Sequence, residues 1–483
     1  MLQEHGEYEI VIGLEVHAQL LTHSKLFCGD SASFGGEPNT HVSPVTLGHP
    51  GTLPVMNEKA IEYAVKMGLA CHCVIERNNY FARKNYFYPD LPKGYQISQH
   101  TSPICKGGYV KIKSTHGEKI VLLNRIHLEE DAGKSIHDID PENTCVDLNR
   151  AGVPLIEIVT EPVLHTSDEA YVYLTELRKI IRYLEVCDGN MEEGSMRCDA
   201  NVSIRKKGET ELGIKVEVKN LNSIRNVKRA IDYEVRRMIE LAQNGERIVQ
   251  QTRSFDAENS TTFALRSKEE ANDYRYFPDP DLPPFFLSED FLEDVRESIP
   301  ALPEHLIHKY TTQLNLTEYD ARVITDEKET SDYFEELILH TTNYKAAANW
   351  ISGPLKSYLN ETGSTIATLP VVPQKLGELI QLVDEGKINF SIASSRIFPQ
   401  MIKQPDADPG SIATAFNLIQ TSDSDEVAQW VQEALAKMPE KVAEYRKGKK
   451  GLLGLFVGEV KKISKGKADP KLTNQLLLQK LEA

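Results

Sequence analysis

The sequence predicts an α+β fold, in which a β-rich domain with a mainly antiparallel sheet precedes two smaller all-α parts. Apolar and polar residues alternate with period two through about the first 290 residues, between Gly, Pro and Asn turns. From about residue 296 the apolar spacing is helical throughout. A stretch rich in Pro and Asp over residues 403–410 has the composition of a linker. We therefore predict three domains, at residues 1–295, 296–405 and 406–483.

The predicted strands share one pattern, a buried face opposite a polar face. In the first strand, residues 8–21, Leu14 lies on the apolar face, whereas Glu15 and His17 lie on the other. Few helices interrupt the strands, which favours an antiparallel sheet over regular βαβ units. The same alternation predicts further strands over residues 153–159, 195–205 and 213–219.

Helix boundaries are indicated by capping residues and prolines. One helix is predicted after the capping box of Thr166 and Glu169, and a second after Ser223. In the helical half, helix starts and stops are predicted at Pro303, Gly353-Pro354 and Pro373.

Composition excludes several classes of protein. The 483 residues are 40% hydrophobic and 26% charged, as in ordinary globular proteins. No apolar run approaches the roughly 18 residues that a membrane span needs, and the acidic start resembles neither a signal nor a transit peptide. The seven scattered cysteines are typical of reduced thiols. We therefore expect a cytoplasmic protein without a membrane partner.

The charge distribution is more informative than the net charge of −16. Taken whole, that value argues against a nucleic-acid partner, because binding phosphates requires a basic surface. Residues 441–483, however, carry +7, which leaves −23 on residues 1–440. This asymmetry predicts an anionic partner at the C-terminal end. The candidate contacts are Lys449, Lys450, Lys461, Lys462 and Lys465.

Two other interpretations of this basic tail remain open. Its lysines and glycines also suit the solvated end of a helical bundle. A membrane-surface helix fits less well, because the apolar run is short and interrupted by glycines.

Acidic residues on predicted strands are the main chemical signal. Glu15 and His17 lie two residues apart and project from the same face. If the strands share a sheet, their carboxylates converge, and a cation relieves the repulsion. Oxygen ligands suit Mg²⁺, which shares its shell with substrate phosphates. The alternative for each acid alone is solvation of an open sheet face. The other candidate acids are Glu129, Glu130, Asp199 and Glu217.

A nucleotide site has no conventional phosphate loop. Residues 132–135 match the end of a Walker A motif, but Leu128 stands where the motif requires glycine. The candidate phosphate contacts are Arg83, Lys84, Lys93 and Lys134, with surface solvation as the alternative for each. The sequence contains no nucleophile elbow and no redox CxxC pair. A nucleophile is therefore expected to come from elsewhere.

Long, ordered motifs connect the sequence to a known family. They are VIGLEVH (11–17), RKNYFYPD (83–90), GYQISQ (94–99), HLEEDAGK (127–134), VDLNR (146–150), MEEGSMRCDAN (191–201), VKNLNS (218–223), DYRYFP (273–278), VGEV (457–460) and SKG (464–466). With these motifs the sequence resembles the B subunits of the bacterial tRNA-dependent amidotransferases over nearly its whole length.

The resemblance implies an architecture and a reaction. The three parts would be a β-rich cradle, a helical linker domain and a helical tail similar to YqeY proteins. ATP would phosphorylate the side-chain carboxylate of glutamate on tRNA(Gln), or of aspartate on tRNA(Asn), and ammonia would displace the phosphate. An amidase-type A subunit would release that ammonia from glutamine, and a small C subunit would brace the other two.

The resemblance also implies roles for individual residues. It places Lys84 at the nucleotide, and on this basis we expect catalytic roles for Glu15, Glu130 and Lys84 and a further nucleotide contact from Lys134. The family's Mg²⁺ cluster falls on Glu15, His17, Glu129, Glu130, Asp199 and Glu217.

The sequence departs from the family at a zinc site. Some members bind zinc with a Cys-x-Cys and a Cys-x-x-Cys pair, but residues 28–30 here are Cys-Gly-Asp and residues 43–46 are Ser-Pro-Val-Thr. A four-thiolate site cannot form, so we predict no zinc and a loop held by packing and hydrogen bonds.

Two rival functions are weighed against this one. The first is a non-catalytic adaptor that binds tRNA and whose sheet acids are structural. The second is a free-standing metal-dependent ligase, which would act without partner subunits.

Overall fold

The structure, a computed structural model, describes residues 6–114, 117–267, 273–419, 424–464 and 466–482. The chain forms two units, residues 1–303 and 304–483. The first unit contains the strands and the second is helical, which confirms the predicted α+β class. The finer division into three domains stays a prediction.

The strands lie in the first unit. They are β1 (Tyr8–Gln19), β2 (Val74–Ile75), β3 (Asn78–Asn79), β4 (Ala82–Asn85), β5 (Tyr95–Ser98), β6 (Cys105–Lys106), β7 (Tyr109–Ser114), β8 (Gly117–Glu130), β9 (Lys134–Ile136), β10 (Cys145–Asp147), β11 (Pro154–Thr160), β12 (Met196–Lys206), β13 (Val216–Lys219), β14 (Gln251–Asp256), β15 (Thr261–Ser267), β16 (Phe277–Pro278) and β17 (Phe285–Phe286).

Among the described residues, ten of these strands form one twisted sheet. Its order is β15-β14-β13-β12-β1-β11-β8-β6-β2, and β7 pairs with β8. The pairings are antiparallel except for β13 with β14. Strand β1 is central, between β11 and β12. Small sheets form from β16, β4 and β5, from β9 and β10, and from β3 and β17.

The helices of the first unit cover the apolar face of the large sheet. They are α1 (Glu58–Ala70), α2 (Ser167–Tyr183), α3 (Ile224–Gln243) and α4 (Glu289–Glu297). Helices α2 and α3 pack against each other, and α3 packs on β12. Both begin as predicted, because Thr166 Oγ1 accepts from the Glu169 amide at 3.0 Å and Ser223 Oγ from the Asn226 amide at 3.1 Å.

The second unit consists of short helices. They are α5 (Pro303–Thr312), α6 (Glu318–Ile324), α7 (Lys328–Leu337), α8 (Tyr344–Trp350), α9 (Lys356–Thr362), α10 (Pro373–Asp384), α11 (Phe390–Ile392), α12 (Phe398–Lys403), α13 (Pro409–Ala415), α14 (Ser424–Ala436), α15 (Pro439–Arg446), α16 (Leu453–Ile463) and α17 (Pro470–Glu482).

The prolines of the helical half of the chain act differently from one another. Pro303 and Pro373 begin helices, as predicted. The predicted break at Gly353-Pro354 is wrong, because helical structure continues from α8 through a π-helical turn, Ile351–Leu355, into α9. Widening the turn accommodates a residue that has no N–H to donate.

A separate apolar core lies in the last part of the chain. It is built from α14, α15, α16 and α17 and contains Val431, Tyr445, Phe456, Val460 and Leu477. In the part of the chain that the structure describes, no helix combines the length and apolar character needed to cross a membrane.

Candidate functional site

The polar face of the central strands brings distant residues together. Strand register places Glu15 on β1 opposite Asp199 on β12. It also places His17 between Arg197 on β12 and Glu157 on β11. The opposite face of β1 is buried in the core, so the alternation seen in the sequence fixes which side chains reach the open face.

Three acids on neighbouring strands form the first cluster, the carboxylate triad of Glu15, Asp199 and Glu217. One carboxylate oxygen from each lies within 4.8 Å of the others. Burial, followed by the charges of Glu157 and Asp199, raises the pKa of Glu15. The part of this rise that comes from the neighbouring carboxylates is a repulsion that a bound cation would relieve.

Neighbouring side chains orient the triad. Asn201 Nδ2 donates to Glu15 Oε1 at 2.9 Å, and Thr252 Oγ1 donates to Glu217 Oε2 at 2.8 Å. Lys219 Nζ lies 2.5 Å from Asp199 Oδ2 and 3.2 Å from Glu217 Oε1. Although burial opposes it, the attraction of these two carboxylates raises the pKa of Lys219, so the side chain stays an ammonium ion.

A second group, the histidine cluster, consists of His17, Glu129 and Glu157. Its ligand atoms also lie within 4.8 Å of one another. Glu157 Oε2 is 3.4 Å from His17 Nε2 and 3.6 Å from His127 Nε2, and His127 Nε2 is 3.1 Å from Glu129 Oε1. The acids are therefore held between imidazoles.

The ionisation of this cluster follows from those contacts. Burial alone would lower the pKa of His17, but the adjoining Glu157 carboxylate raises it. Burial likewise opposes ionisation of Glu157 and Glu129. For Glu157, His17 and His127 lower the pKa instead, and for Glu129 the contact with His127 does so. Both acids are ionised at neutral pH.

Glu157 was missed in the sequence analysis. It lies on β11 between the apolar residues Ile156 and Ile158, the same pattern that Glu15 shows on β1. Its place in the histidine cluster depends on β11 lying between β1 and β8, where Glu157 faces His17 and His127. The sequence shows the acid but not these strand neighbours.

The structure places Glu130 outside both clusters. Its side chain is buried, Lys93 Nζ donates to Oε2 at 2.7 Å, and the Ile97 amide donates to Oε1 at 2.7 Å. Burial raises the pKa of Glu130, whereas Lys93 acts to lower it. The pair attaches the hairpin of β4 and β5 to β8.

Lys84 lies on β4 among aromatic rings close to the histidine cluster. Its Nζ is 5.1 Å from the ring centre of Tyr274 and 5.7 Å from that of Tyr86. Its charge also helps to lower the pKa of Glu129. Burial and then the Glu129 charge raise the pKa of Tyr86, which places that ring beside the same acid. Lys84 therefore adjoins the cluster.

Lys134 is exposed on β9, opposite Asp147 on β10. It begins a strand, whereas a phosphate-binding loop of the Walker A type leads into a helix. The structure does not bring Lys134 into either cluster.

The positions that align with the family's zinc ligands meet in space and are joined by hydrogen bonds. Asp30 Oδ2 accepts from the Ser43 amide at 2.8 Å, from the Thr46 hydroxyl and from Cys28 Sγ at 3.4 Å. These hydrogen bonds outweigh the effect of burial and lower the pKa of Asp30. A carboxylate thus organises the loop.

Two of the predicted tRNA-contact lysines are paired and two are not. Lys449 Nζ lies 3.0 Å from Glu444, and Lys450 Nζ lies 3.7 Å from Glu482 and 4.5 Å from the Tyr445 ring centre. Lys461 and Lys462 are exposed in the last turn of α16 without an ion pair within the described residues. Lys465 lies outside the residues that the structure describes.

The donor sets of the two clusters suit hard cations. The triad offers oxygen atoms alone, the preference of Mg²⁺, and the repulsion at Glu15 fits a site built to hold positive charge. The histidine cluster offers two carboxylates and an imidazole, a set that also accepts transition metals. Both groups therefore fit a divalent cation.

Comparisons with known proteins agree with the resemblance seen in the motifs. The GatB/GatE catalytic domain matches residues 10–293, and the GatB domain matches residues 332–481. The B subunit of the aspartyl/glutamyl-tRNA(Asn/Gln) amidotransferase of Thermodesulfovibrio yellowstonii is 50% identical over 481 residues, 99% of this chain and 100% of that protein. The same subunit of Geotalea daltonii is 50% identical over 479 residues, 99% of this chain and 100% of that protein. That of Thermoanaerobacter sp. strain X514 is 48% identical over 475 residues, 98% of this chain and 99% of that protein. The chain therefore belongs to the family of aspartyl/glutamyl-tRNA(Asn/Gln) amidotransferase B subunits.

Proposed function

We propose that this chain is the subunit of a tRNA-dependent amidotransferase that carries out the ATP-dependent step. It converts Glu-tRNA(Gln) to Gln-tRNA(Gln), Asp-tRNA(Asn) to Asn-tRNA(Asn), or both. The observation that carries the proposal is the pair of cation-competent clusters on one face of the central sheet. The reaction belongs in the cytoplasm, with protein synthesis.

Each of the two clusters would bind one cation. Glu15, Asp199 and Glu217 would hold one Mg²⁺, and His17, Glu129 and Glu157 a second cation. When bound, such ions neutralise charge on the phosphoryl oxygens of ATP and of the acyl phosphate. The side chains around them keep the carboxylates ionised and oriented.

Other residues of the chain bind the nucleotide and support the site. Lys84, held beside Tyr86 and Tyr274, supplies a cation for phosphate oxygens next to the histidine cluster. Lys134, on the two-stranded sheet of β9 and β10, stays a predicted contact to the nucleotide. For Glu130, the pairing with Lys93 supports a positioning role, since its side chain fixes the hairpin that carries Lys84.

The ammonia comes from partner subunits. Burial raises the pKa of the Cys187 thiol to about 12 and that of Cys198 well above its ordinary value, so neither is an activated nucleophile. An amidase-type A subunit supplies ammonia from glutamine, and a small C subunit completes the heterotrimer. The basic tail binds the misacylated tRNA, with Lys461 and Lys462 as its unpaired contacts.

The test is the Glu15→Ala variant in the assembled heterotrimer. Glutamine hydrolysis should continue, because it occurs in another subunit. Amidation of misacylated tRNA should fall at least about a hundredfold, because a metal ion supplies several kcal/mol of charge stabilisation. The matched control is Glu9→Ala, on the same face of β1 but paired with Arg205 at 2.7 Å. Unchanged amidation in Glu15→Ala would contradict the metal assignment.

The rival functions give different results in the same assay. A non-catalytic adaptor predicts no Mg²⁺-dependent ATP cleavage that requires misacylated tRNA. A free-standing ligase predicts amidation by the purified chain alone, where we expect none.

A further inference from the structure

Lys219 shares two of the three carboxylates of the triad. Its ammonium lies 2.5 Å from Asp199 Oδ2 and 3.2 Å from Glu217 Oε1. The side chain is 38% exposed, so it can leave the cluster for solvent without crossing the protein interior. A cation bound by the triad draws on the carboxylates of Asp199 and Glu217, the two that the ammonium now contacts.

The other polar neighbours of the triad do not compete in this way. Asn201 and Thr252 are neutral donors, and each occupies one oxygen of its carboxylate, Oε1 of Glu15 and Oε2 of Glu217 respectively. They orient the acids without contributing a charge. Lys219 alone among these three neighbours adds positive charge.

The positive groups around the histidine cluster differ from those around the triad. Its ion pairs are with His127 and with Arg125, whose Nη2 lies 3.8 Å from Glu157 Oε1. The ammonium of Lys84 also adjoins this cluster, through its charge on Glu129, but no ion pair joins the two among the described residues. Imidazole and a peripheral guanidinium group at that distance repel an incoming cation less than an ammonium in direct contact with two of the ligand carboxylates.

We propose that Lys219 is a built-in competitor that sets the divalent-cation affinity of the carboxylate triad. The inference rests on the cation-binding role proposed above. The cation displaces the ammonium from Asp199 and Glu217, so the triad binds more weakly than three carboxylates alone would. The site is thereby kept exchangeable, and without a cation the three acids remain partly neutralised.

The test is titration of the purified heterotrimer with Mn²⁺, followed by electron paramagnetic resonance. A Glu157→Gln background isolates the triad by weakening the histidine cluster. In that background Lys219→Met should tighten Mn²⁺ binding at least about tenfold, because a positive charge close to the ion is removed. Lys219→Arg keeps the charge and should stay close to the parent. Lys215→Met removes an exposed lysine two residues from Glu217 and should change little.

Stability gives a second measurement. Without its ammonium the triad depends on metal, so Lys219→Met should unfold at lower temperature than the parent in EDTA and recover in saturating Mg²⁺. A Lys219→Met protein that is unfolded even in Mg²⁺, or whose Mn²⁺ affinity is unchanged or weaker, would overturn the inference. Adding Glu15→Gln should abolish the gain, and a gain that persists would also count against it.

The same titration separates this inference from the proposed function. If adding Glu15→Gln to the Glu157→Gln parent removes no Mn²⁺ binding, the triad is not a cation site. The proposed cation site then fails, and the inference fails with it. If the parent binds and Lys219→Met makes no difference, only the role of Lys219 is lost.

Discussion

At the scale of single residues, the site is defined by what each carboxylate faces across the strands. Glu157 lies between His17 and His127, and its contacts with these two imidazoles lower its pKa despite burial. Glu130 follows Glu129 directly, yet it faces Lys93 instead. Adjacent residues on a strand point to opposite sides, so the side chains of two consecutive glutamates lie in different environments.

Replacing Glu157 by Gln should lower amidation by about 10- to 100-fold, because a ligand and the partner of two imidazoles are removed together. Glutamine hydrolysis by the heterotrimer should be unaffected. The measurement is amidation of misacylated tRNA together with the number of Mn²⁺ ions bound.

Glu161→Gln is the matched control for that change. Glu161 follows β11 and accepts a hydrogen bond from Asn124, away from both clusters. An equal loss of amidation in both variants would indicate damage to β11 rather than loss of a ligand.

At the scale of elements, one loop depends on buried polar contacts. Residues 22–57 form the loop that connects β1 to α1. Lys25 is buried in this loop, and its Nζ donates to the His41 carbonyl at 2.6 Å. Burial lowers the pKa of Lys25. Asp30 supplies the other anchor, through Ser43, Thr46 and Cys28.

Replacing Asp30 by Asn should lower the free energy of opening this loop by about 1.5–3 kcal/mol near neutral pH, because hydrogen bonds to a charged group contribute in that range. The folded-state pKa of Asp30 is lowered, so its contribution is present above the ordinary aspartate pKa and is lost as pH falls through the folded value. Hydrogen exchange at the Ser43 amide should therefore show a difference between variant and wild type that is constant from pH 5 to 8.

The control for the loop is Glu37→Gln, an exposed acid in the same segment. Its exchange should match the wild type. A difference for Asp30→Asn that varies between pH 5 and 8 would contradict its assignment to the Asp30 carboxylate.

At the scale of the whole molecule, charge is separated along the chain. The first 440 residues carry −23, including the acids of both clusters, whereas the last 43 carry +7. The structure shows which of the basic residues in the tail are already paired. Lys449 and Lys450 form ion pairs with acids of the tail itself, whereas Lys461 and Lys462 do not within the described residues.

Deleting residues 406–483 should weaken tRNA binding by the heterotrimer and flatten its dependence on salt. The slope of log affinity against log salt should fall by about 0.7–0.9 for each phosphate that the tail no longer neutralises. Filter binding across a salt series measures both quantities.

A milder change tests the unpaired lysines. Lys461→Ala with Lys462→Ala should reduce the slope more than Lys449→Ala with Lys450→Ala, because the first pair is free to neutralise phosphates. Retention of full affinity and slope after deletion of the tail would contradict a tRNA-binding role for it.

The sequence by itself determined the α+β class, the helix starts at Ser167 and Ile224, and the family. These depend on local periodicity, capping and motif order, which are properties of adjacent residues. It also identified five of the six side chains in the two clusters, because a polar residue between apolar neighbours on a strand is visible without a fold.

Only the tertiary structure decided how those side chains are grouped. Strand order and register join β1 to residues about 140 and 185 positions later, and this separates two clusters, adds Glu157 and assigns Glu130 to Lys93. Local pattern also failed at Pro354, where a π-turn carries the helix past a residue expected to end it. Both outcomes depend on contacts between distant segments and on packing, which the order of residues along the chain does not specify.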